Sequence, residues 1–173
     1  MYRGRAIVIT GPVGAGKTTT MWALADLLEE HDIPVAAIDM DGLRWFYPRP
    51  ADDRFGSQVG LHHLRTMAST YRELGISTLV LADVIETGTE RHQQAMPGYD
   101  VIVVRLNVII ERLHARLRQR EPGASYDWYE NRAIELTNIM ERNGIGDVVI
   151  EVDDETPQQL AQRIADRLGL FDG

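Results

Sequence analysis

The stretch Gly11-Pro12-Val13-Gly14-Ala15-Gly16-Lys17-Thr18 constrains this chain more than any other. It follows an apolar run, residues 6–10, and precedes Thr19-Thr20-Met21-Trp22-Ala23-Leu24-Ala25-Asp26-Leu27-Leu28. That is a strand, a glycine turn and a helix in succession. The spacing fits G-x-x-x-x-G-K-[ST], a loop that turns its backbone N–H groups inward around phosphate. The helix that follows adds its positive N-terminal end. Lys17 supplies a compact charge for the β- and γ-phosphates, and the Thr18 hydroxyl is placed for Mg²⁺. Gly11, Val13, Gly14, Ala15, Gly16, Lys17, Thr18 and Thr19 are thus the candidate nucleotide contacts. A dinucleotide loop needs G-x-G-x-x-G/A, but counting from Gly14 the third position is Thr19, too large for close strand–helix packing. Lys17 is also the only lysine; every other basic residue is arginine. A chain that otherwise uses arginine keeps lysine where a point charge is needed.

The rest of the chain continues the alternation. Strands are expected at 6–10, 35–38, 78–82, 101–106 and 148–152, all short, β-branched and apolar on both faces, as buried parallel strands are. Helices are expected at 18–31, from Ser57 to near Gly75, and at 90–95, 108–120, 126–142 and 157–168. Residues 46–56, with Pro48, Pro50, Asp52 and Asp53, read as a loop or small flap. Strands alternating with helices predict an α/β fold with a mainly parallel sheet. With 173 residues the chain is expected to form one domain. No run approaches the roughly 18 apolar residues that cross a bilayer. No signal peptide is evident, cysteine is absent, and the expected location is cytoplasmic. A net charge of −8 argues against a nucleic-acid surface. The expected state is a monomer or homodimer.

Ligands of such sheets bind at the carboxyl ends of the strands. After the second strand comes Asp39-Met40-Asp41-Gly42-Leu43-Arg44. Two carboxylates this close suit two tasks, one holding hydrated Mg²⁺ and one accepting a proton from a hydroxyl. The alternative is that one caps a helix and the other is solvated. Asp83 ends the third strand, where a carboxylate could hold Mg²⁺ through water; Glu86 could face substrate. Helix capping is the competing role for both. On the 108–120 helix, Arg112, Arg116 and Arg120 share a face, with Arg118 near and few acidic partners. They form either a solvated face or an anion site. Arg44, Trp45, Arg54, Phe55, His62, His63 and Arg65 form a cationic and aromatic group, although core packing explains Trp45 and Phe55 equally well. Trp22 and Trp128 read as core or interface residues.

The phosphate loop, the D-x-D-G-x-R segment after the second strand, Asp53-Arg54 and His63-Leu64-Arg65 together resemble the P-loop small-molecule kinases of the nucleoside-monophosphate-kinase type. That group includes adenylylsulfate, shikimate and gluconate kinases and chloramphenicol phosphotransferase. The resemblance implies a three-layer fold with a five-stranded parallel sheet in the order 2-3-1-4-5, and ATP and Mg²⁺ as cofactors. It implies that Asp41 contacts an acceptor hydroxyl and that Asp39 lies near the metal; Arg44, Arg54 and Arg65 of the flap group are expected where substrate binds. Residues 109–116 resemble the segment entering a nucleotide lid, so Arg112 would stack on adenine, Arg116 would reach the phosphates, and Arg118 and Arg120 would belong to the lid that closes over the nucleotide. A substrate flap at about 42–75 and a lid at about 117–127 follow. Where adenylylsulfate kinases carry an Ile-Ser-Pro type segment, this chain has Asp83-Val84-Ile85-Glu86. The expected activity is transfer of the γ-phosphoryl group of ATP to a small-molecule hydroxyl. A regulatory ATPase or switch is the alternative. A GTPase is excluded, because an N/T-K-x-D guanine motif needs a second lysine.

Overall fold

The computed structural model describes residues 3–120 and 126–171, with the side chain of Arg120 outside the described part. In chain order the elements are β1 (Gly4–Thr10), α1 (Lys17–Glu30), β2 (Val35–Asp39), α2 (Met40–Leu43), α3 (Ser57–Glu73), β3 (Thr78–Ala82), α4 (Glu90–Ala95), β4 (Tyr99–Asn107), α5 (Ile110–Arg120), α6 (Tyr126–Arg142), β5 (Val148–Glu151) and α7 (Pro157–Leu168). All five strands are parallel and lie in the order β2-β3-β1-β4-β5. The sheet order expected from the resemblance is the one observed.

β1 is central because it has no polar face to show water. Ala6, Ile7, Val8 and Ile9 are all fully buried, and Ile7 pairs with Val80 of β3 on one side and Ile102 of β4 on the other. Period-two alternation sends successive side chains to opposite layers. Ile7 and Ile9 join Met21, Leu24 and Leu28 of α1 and Leu160, Ala161 and Ile164 of α7. Ala6 and Val8 join Leu64 and Ala68 of α3, Met96, Tyr99, and Leu136 and Met140 of α6. The result is helix, sheet, helix in three layers.

Connections leave β1 for β2 on one side of the sheet and later bring the chain to β4 on the other. The carboxyl end of β1 is therefore a switch point, where neighbouring connections diverge and open a crevice. The loop 11–16 sits there. Residues 46–56 contain no helix or strand, as expected, whereas α2 is a single turn that the hydrophobic pattern did not reveal.

Candidate active site

The phosphate loop has the backbone that its glycines were expected to allow. Gly14 and Gly16 have φ of 83° and 92°, a left-handed region that side chains with a Cβ avoid. A Cβ on Gly14 would also lie 3.3 Å from Leu117 of α5. α1 begins at Lys17 with Gly16 as its cap, so no side chain accepts from its first N–H groups, and its first turn has no acidic residue. By contrast, Thr156 and Gln159 close the start of α7 with a reciprocal capping box. The first turn of α1 thus offers N–H donors and a positive dipole end to an incoming anion. Lys17 Nζ donates to the carbonyls of Gly11 and Pro12, 3.1 Å each, and is held against the loop.

Thr18 and Asp39 meet across the crevice. Thr18 Oγ1 donates to Asp39 Oδ2 at 2.9 Å, and Asp39 Oδ1 accepts from the Asp41 N–H at 3.0 Å. Asp39 is thus both the cap of α2 and a partner of the phosphate-loop hydroxyl. The turn of α2 presents Asp41, exposed, to the same crevice. Among the described residues no group of three or more His, Cys, Asp or Glu could hold a metal alone. Mg²⁺ beside phosphates needs only one or two protein oxygens, completing its shell with phosphate and water. The Thr18 hydroxyl and Asp39 carboxylate fit that requirement.

Asp83 is a correction. It was expected at the metal, but its side chain is 3% exposed and both oxygens are taken. Oδ1 accepts from Arg44 and from the Val84 N–H, and Oδ2 accepts from His92 Nε2 at 2.7 Å. Burial alone pushes its carboxyl up; the His92 hydrogen bond and the Arg44 charge outweigh burial and hold it below its ordinary value of 3.8. Asp83 therefore anchors Arg44 in the crevice wall. Asp83→Asn should strip the half-buried Arg44 of its counter-charge and lower stability by about 1–3 kcal/mol, measured by urea unfolding. Because the folded-state pKa is depressed, the stabilisation is complete above the unfolded value and disappears as pH falls through the folded one. The parent should lose stability below about pH 4 more steeply than the variant; parallel acid-unfolding curves would show that Asp83 carries no such linkage.

α5 brings two of the expected arginines to the loop. Arg116 Nη1 donates to the carbonyls of Gly14 and Ala15 at 3.4 and 3.3 Å. Arg112 Nη1 donates to the Val152 carbonyl at 3.1 Å and pairs with Asp153 and Asp154 at 3.9 and 3.4 Å. These acidic partners lie after β5, too far along the chain for helical spacing to reveal. Arg120's side chain and residues 121–125 of the expected lid lie outside the described residues.

Two clefts flank the phosphate loop. The first, about 300 Å³, is lined by Gly14–Gly16, Thr19, Thr20, Arg116, Leu117 and the segment after β5 (Val152, Glu155, Pro157) with Leu160. The second, about 530 Å³, is lined by Lys17, Thr18, Asp41, Arg44, Trp45, Arg49, Phe55, Ser57, Val84, Glu86 and, from α6, Trp128, Tyr129, Arg132 and Leu136. Both are of ordinary small-ligand size. They share Gly14, Gly16 and Thr19, so the phosphate loop is the partition between them.

Of the expected substrate residues, only Arg44 and Asp41 line the second cleft. Arg54 and Arg65 are corrections: both are exposed and neither lines either of these two clefts. Arg54 instead lies 5.3 Å from the Phe55 ring centroid, and Arg65 is on an exposed position of α3. Trp45 and Phe55 are 79% and 42% exposed, so core packing does not explain them. Trp22 is exposed on α1, and Trp128 faces the second cleft rather than the core. Sequence reasoning missed Arg49 and Arg132. Arg132 pairs with Glu86 and, at 2.8 Å, with Glu135; on an amphipathic helix with an acidic residue three positions on, it reads as an ordinary surface charge. Glu86, considered for substrate, is at the cleft but tied to Arg132.

No protein-family model matches the sequence, and no curated protein matches it. Solved structures match over nearly the whole chain. Shikimate kinase from Acinetobacter baumannii, in complex with shikimate, is 22% identical, with a TM-score of 0.66 over 95% of this chain and 93% of that one. The tunicamycin resistance protein of Deinococcus radiodurans is 23% identical, with a TM-score of 0.62 over 96% of each chain. The APS kinase of Mycobacterium tuberculosis, in complex with AMPPNP and APS, is 24% identical, with a TM-score of 0.62 over 98% and 99%. The chain has the three-layer α/β fold of these solved structures.

Proposed function

We propose that this protein transfers the γ-phosphoryl group of ATP to the hydroxyl of a small-molecule acceptor. The observation that carries the reading is the pair of clefts meeting at the phosphate loop, one suited to a donor nucleotide and the other to an acceptor. A regulatory ATPase has no need of the second cleft or of an exposed carboxylate, Asp41, on its wall.

In this mechanism the base and ribose lie in the first cleft, beside Arg112 and the Val152 segment. The phosphates follow the N–H groups of 13–19, and Lys17 exchanges its carbonyl partners for phosphate oxygens. Thr18 and Asp39 would hold Mg²⁺, which supplies charge neutralisation at the phosphates when bound. Asp41 accepts the hydroxyl proton as the acceptor oxygen bonds to the γ-phosphorus. The bond from that phosphorus to the bridging oxygen breaks, and ADP leaves. Arg116, and Arg120 by the resemblance, stabilise charge on the transferring group. Residues 42–75 act as the acceptor flap and 117–127 as the lid, within one domain. An ATP-consuming activity of this kind belongs in the cytoplasm. No described helix is long and apolar enough to cross a membrane.

The test is an acceptor screen that reads ADP release and thermal shift with ATP and Mg²⁺. Acceptor-dependent ADP release equal to phosphorylated product is expected; acceptor-independent hydrolysis across the whole panel would favour the regulatory reading. Arg116→Ala should lower kcat by about 100-fold and raise the Kd for ATP much less, because its charge matters most as the phosphoryl group transfers. An effect on affinity alone, measured by calorimetry beside steady-state kinetics, would make Arg116 a static clamp.

A further inference from the structure

The second cleft has walls whose chemistry sorts its occupants. The loop after α2 contributes Trp45 and Phe55, and the first turn of α6 contributes Trp128 and Tyr129. The walls meet where the Arg132 guanidinium lies 5.5 Å from the Phe55 ring centroid. Trp45, Phe55 and Trp128 are 79%, 42% and 48% exposed. Leaving rings of this size in water forgoes their burial, and such surface gathered in one concavity marks a contact site.

The cleft's positive charge is mostly spent within the protein. Arg44 is balanced by buried Asp83, and Arg132 by Glu86 and Glu135. Among the described residues Arg49 meets no carboxylate; it donates to the carbonyls of Arg54 and Arg44 at 3.3 and 3.4 Å. Asp41 and Glu86 add negative charge to the same walls. A polyanionic acceptor needs several cations without carboxylate partners; beyond Lys17 of the phosphate loop, the cleft's described arginines leave only Arg49 without one. Beside its polar groups the cleft offers three exposed ring faces, the flat surface on which another ring stacks.

Resting on the phosphotransfer reading above, we propose that the acceptor is an alcohol bearing a flat aromatic or heteroaromatic ring and at most one negative charge. The ring lies among Trp45, Phe55 and Trp128, with the hydroxyl at Asp41; any single anionic group faces Arg49. The hydroxyl oxygen forms the new bond to the γ-phosphorus, its proton passes to Asp41, and ADP is the leaving group.

The experiment uses nucleosides and aryl alcohols against polyhydroxy carboxylic acids, free sugars and sugar phosphates. ADP release with ATP and Mg²⁺ reads transfer. Binding is read without ATP, by the tryptophan emission of a Trp22→Phe variant that keeps Trp45 and Trp128. An aromatic alcohol should be phosphorylated and should change that emission. Trp45→Ala and Trp128→Ala should each raise the KM of that acceptor about ten-fold, the factor that one ring-stacking contact supplies. kcat and the KM for ATP should stay near the parent values. Trp45 is so exposed that its removal leaves the packing intact, so this variant tests the proposal even if Trp128→Ala unfolds. Preferred phosphorylation of a sugar, sugar acid or sugar phosphate, with emission unmoved by any aromatic alcohol, overturns the acceptor assignment and leaves phosphotransfer standing. Emission changes by aromatic alcohols with no ADP release from any acceptor support the ring site and overturn phosphotransfer.

Discussion

Lys17→Ala should lower phosphoryl transfer by at least about 10³-fold while leaving the unfolding midpoint near that of the parent. Removing one preorganised donor at a site of developing charge costs about 10²–10³ in rate, and Lys17 carries a full charge as well as donors. Its ammonium donates to two carbonyls of its own loop, Gly11 and Pro12, contacts local to the loop rather than ones that join the layers of the fold. Lys17→Arg should recover little of the activity. A planar guanidinium is wider than an ammonium and presents its donors in a fixed fork, and the loop closes tightly, with left-handed glycines at 14 and 16. ATP titration by calorimetry and ADP release with the acceptor found by screening check both variants. Parent-level affinity and turnover in Lys17→Ala would remove the phosphate loop from the mechanism, whatever its spacing.

How much was legible in the sequence depended on distance along the chain. The phosphate loop is contiguous, so its residue types and spacing carry its conformation directly. The strands were legible because a strand buried on both faces shows an unbroken apolar run, and the observed ends differ by at most two residues. α2 escaped because four residues make one turn, too short for any period, and its start depends on Asp39 turning back to the Asp41 N–H. Sheet order came from resemblance, since no local pattern states which strands pair. Asp83 was misassigned because its position at a strand end is visible while the groups that neutralise it, Arg44 and His92, lie 39 and 9 residues away. Arg54 and Arg65 failed for the opposite reason. They stand near the right elements in sequence, but neither lines the cleft. Arg132 and Arg49 reach the cleft through a helix and a loop that give no periodic sign of it.

Asp41→Asn should keep ATP and Mg²⁺ binding and lose about 10²–10⁴-fold in kcat, the range that a positioned general base supplies. The division of labour between the two carboxylates carries this expectation. Asp39 is committed on both oxygens, to the Thr18 hydroxyl and to the Asp41 N–H, whereas Asp41 offers an exposed carboxylate to the acceptor cleft. Asparagine at 41 keeps the size and the backbone N–H that Asp39 caps, but an amide cannot take the hydroxyl proton. Asp39→Asn should act elsewhere, raising the Mg²⁺ concentration for half-activity, because an amide is a weaker ligand for a hard cation than a carboxylate. It should also loosen α2 and so disturb Asp41 indirectly. The two variants are separable by titrating Mg²⁺ at saturating acceptor: Asp39→Asn should regain activity as Mg²⁺ rises, and Asp41→Asn should not. If Asp41→Asn recovers with Mg²⁺ instead, Asp41 is the metal's carboxylate, and the proton must leave by another route, with Glu86 at the cleft wall a candidate once Arg132 releases it.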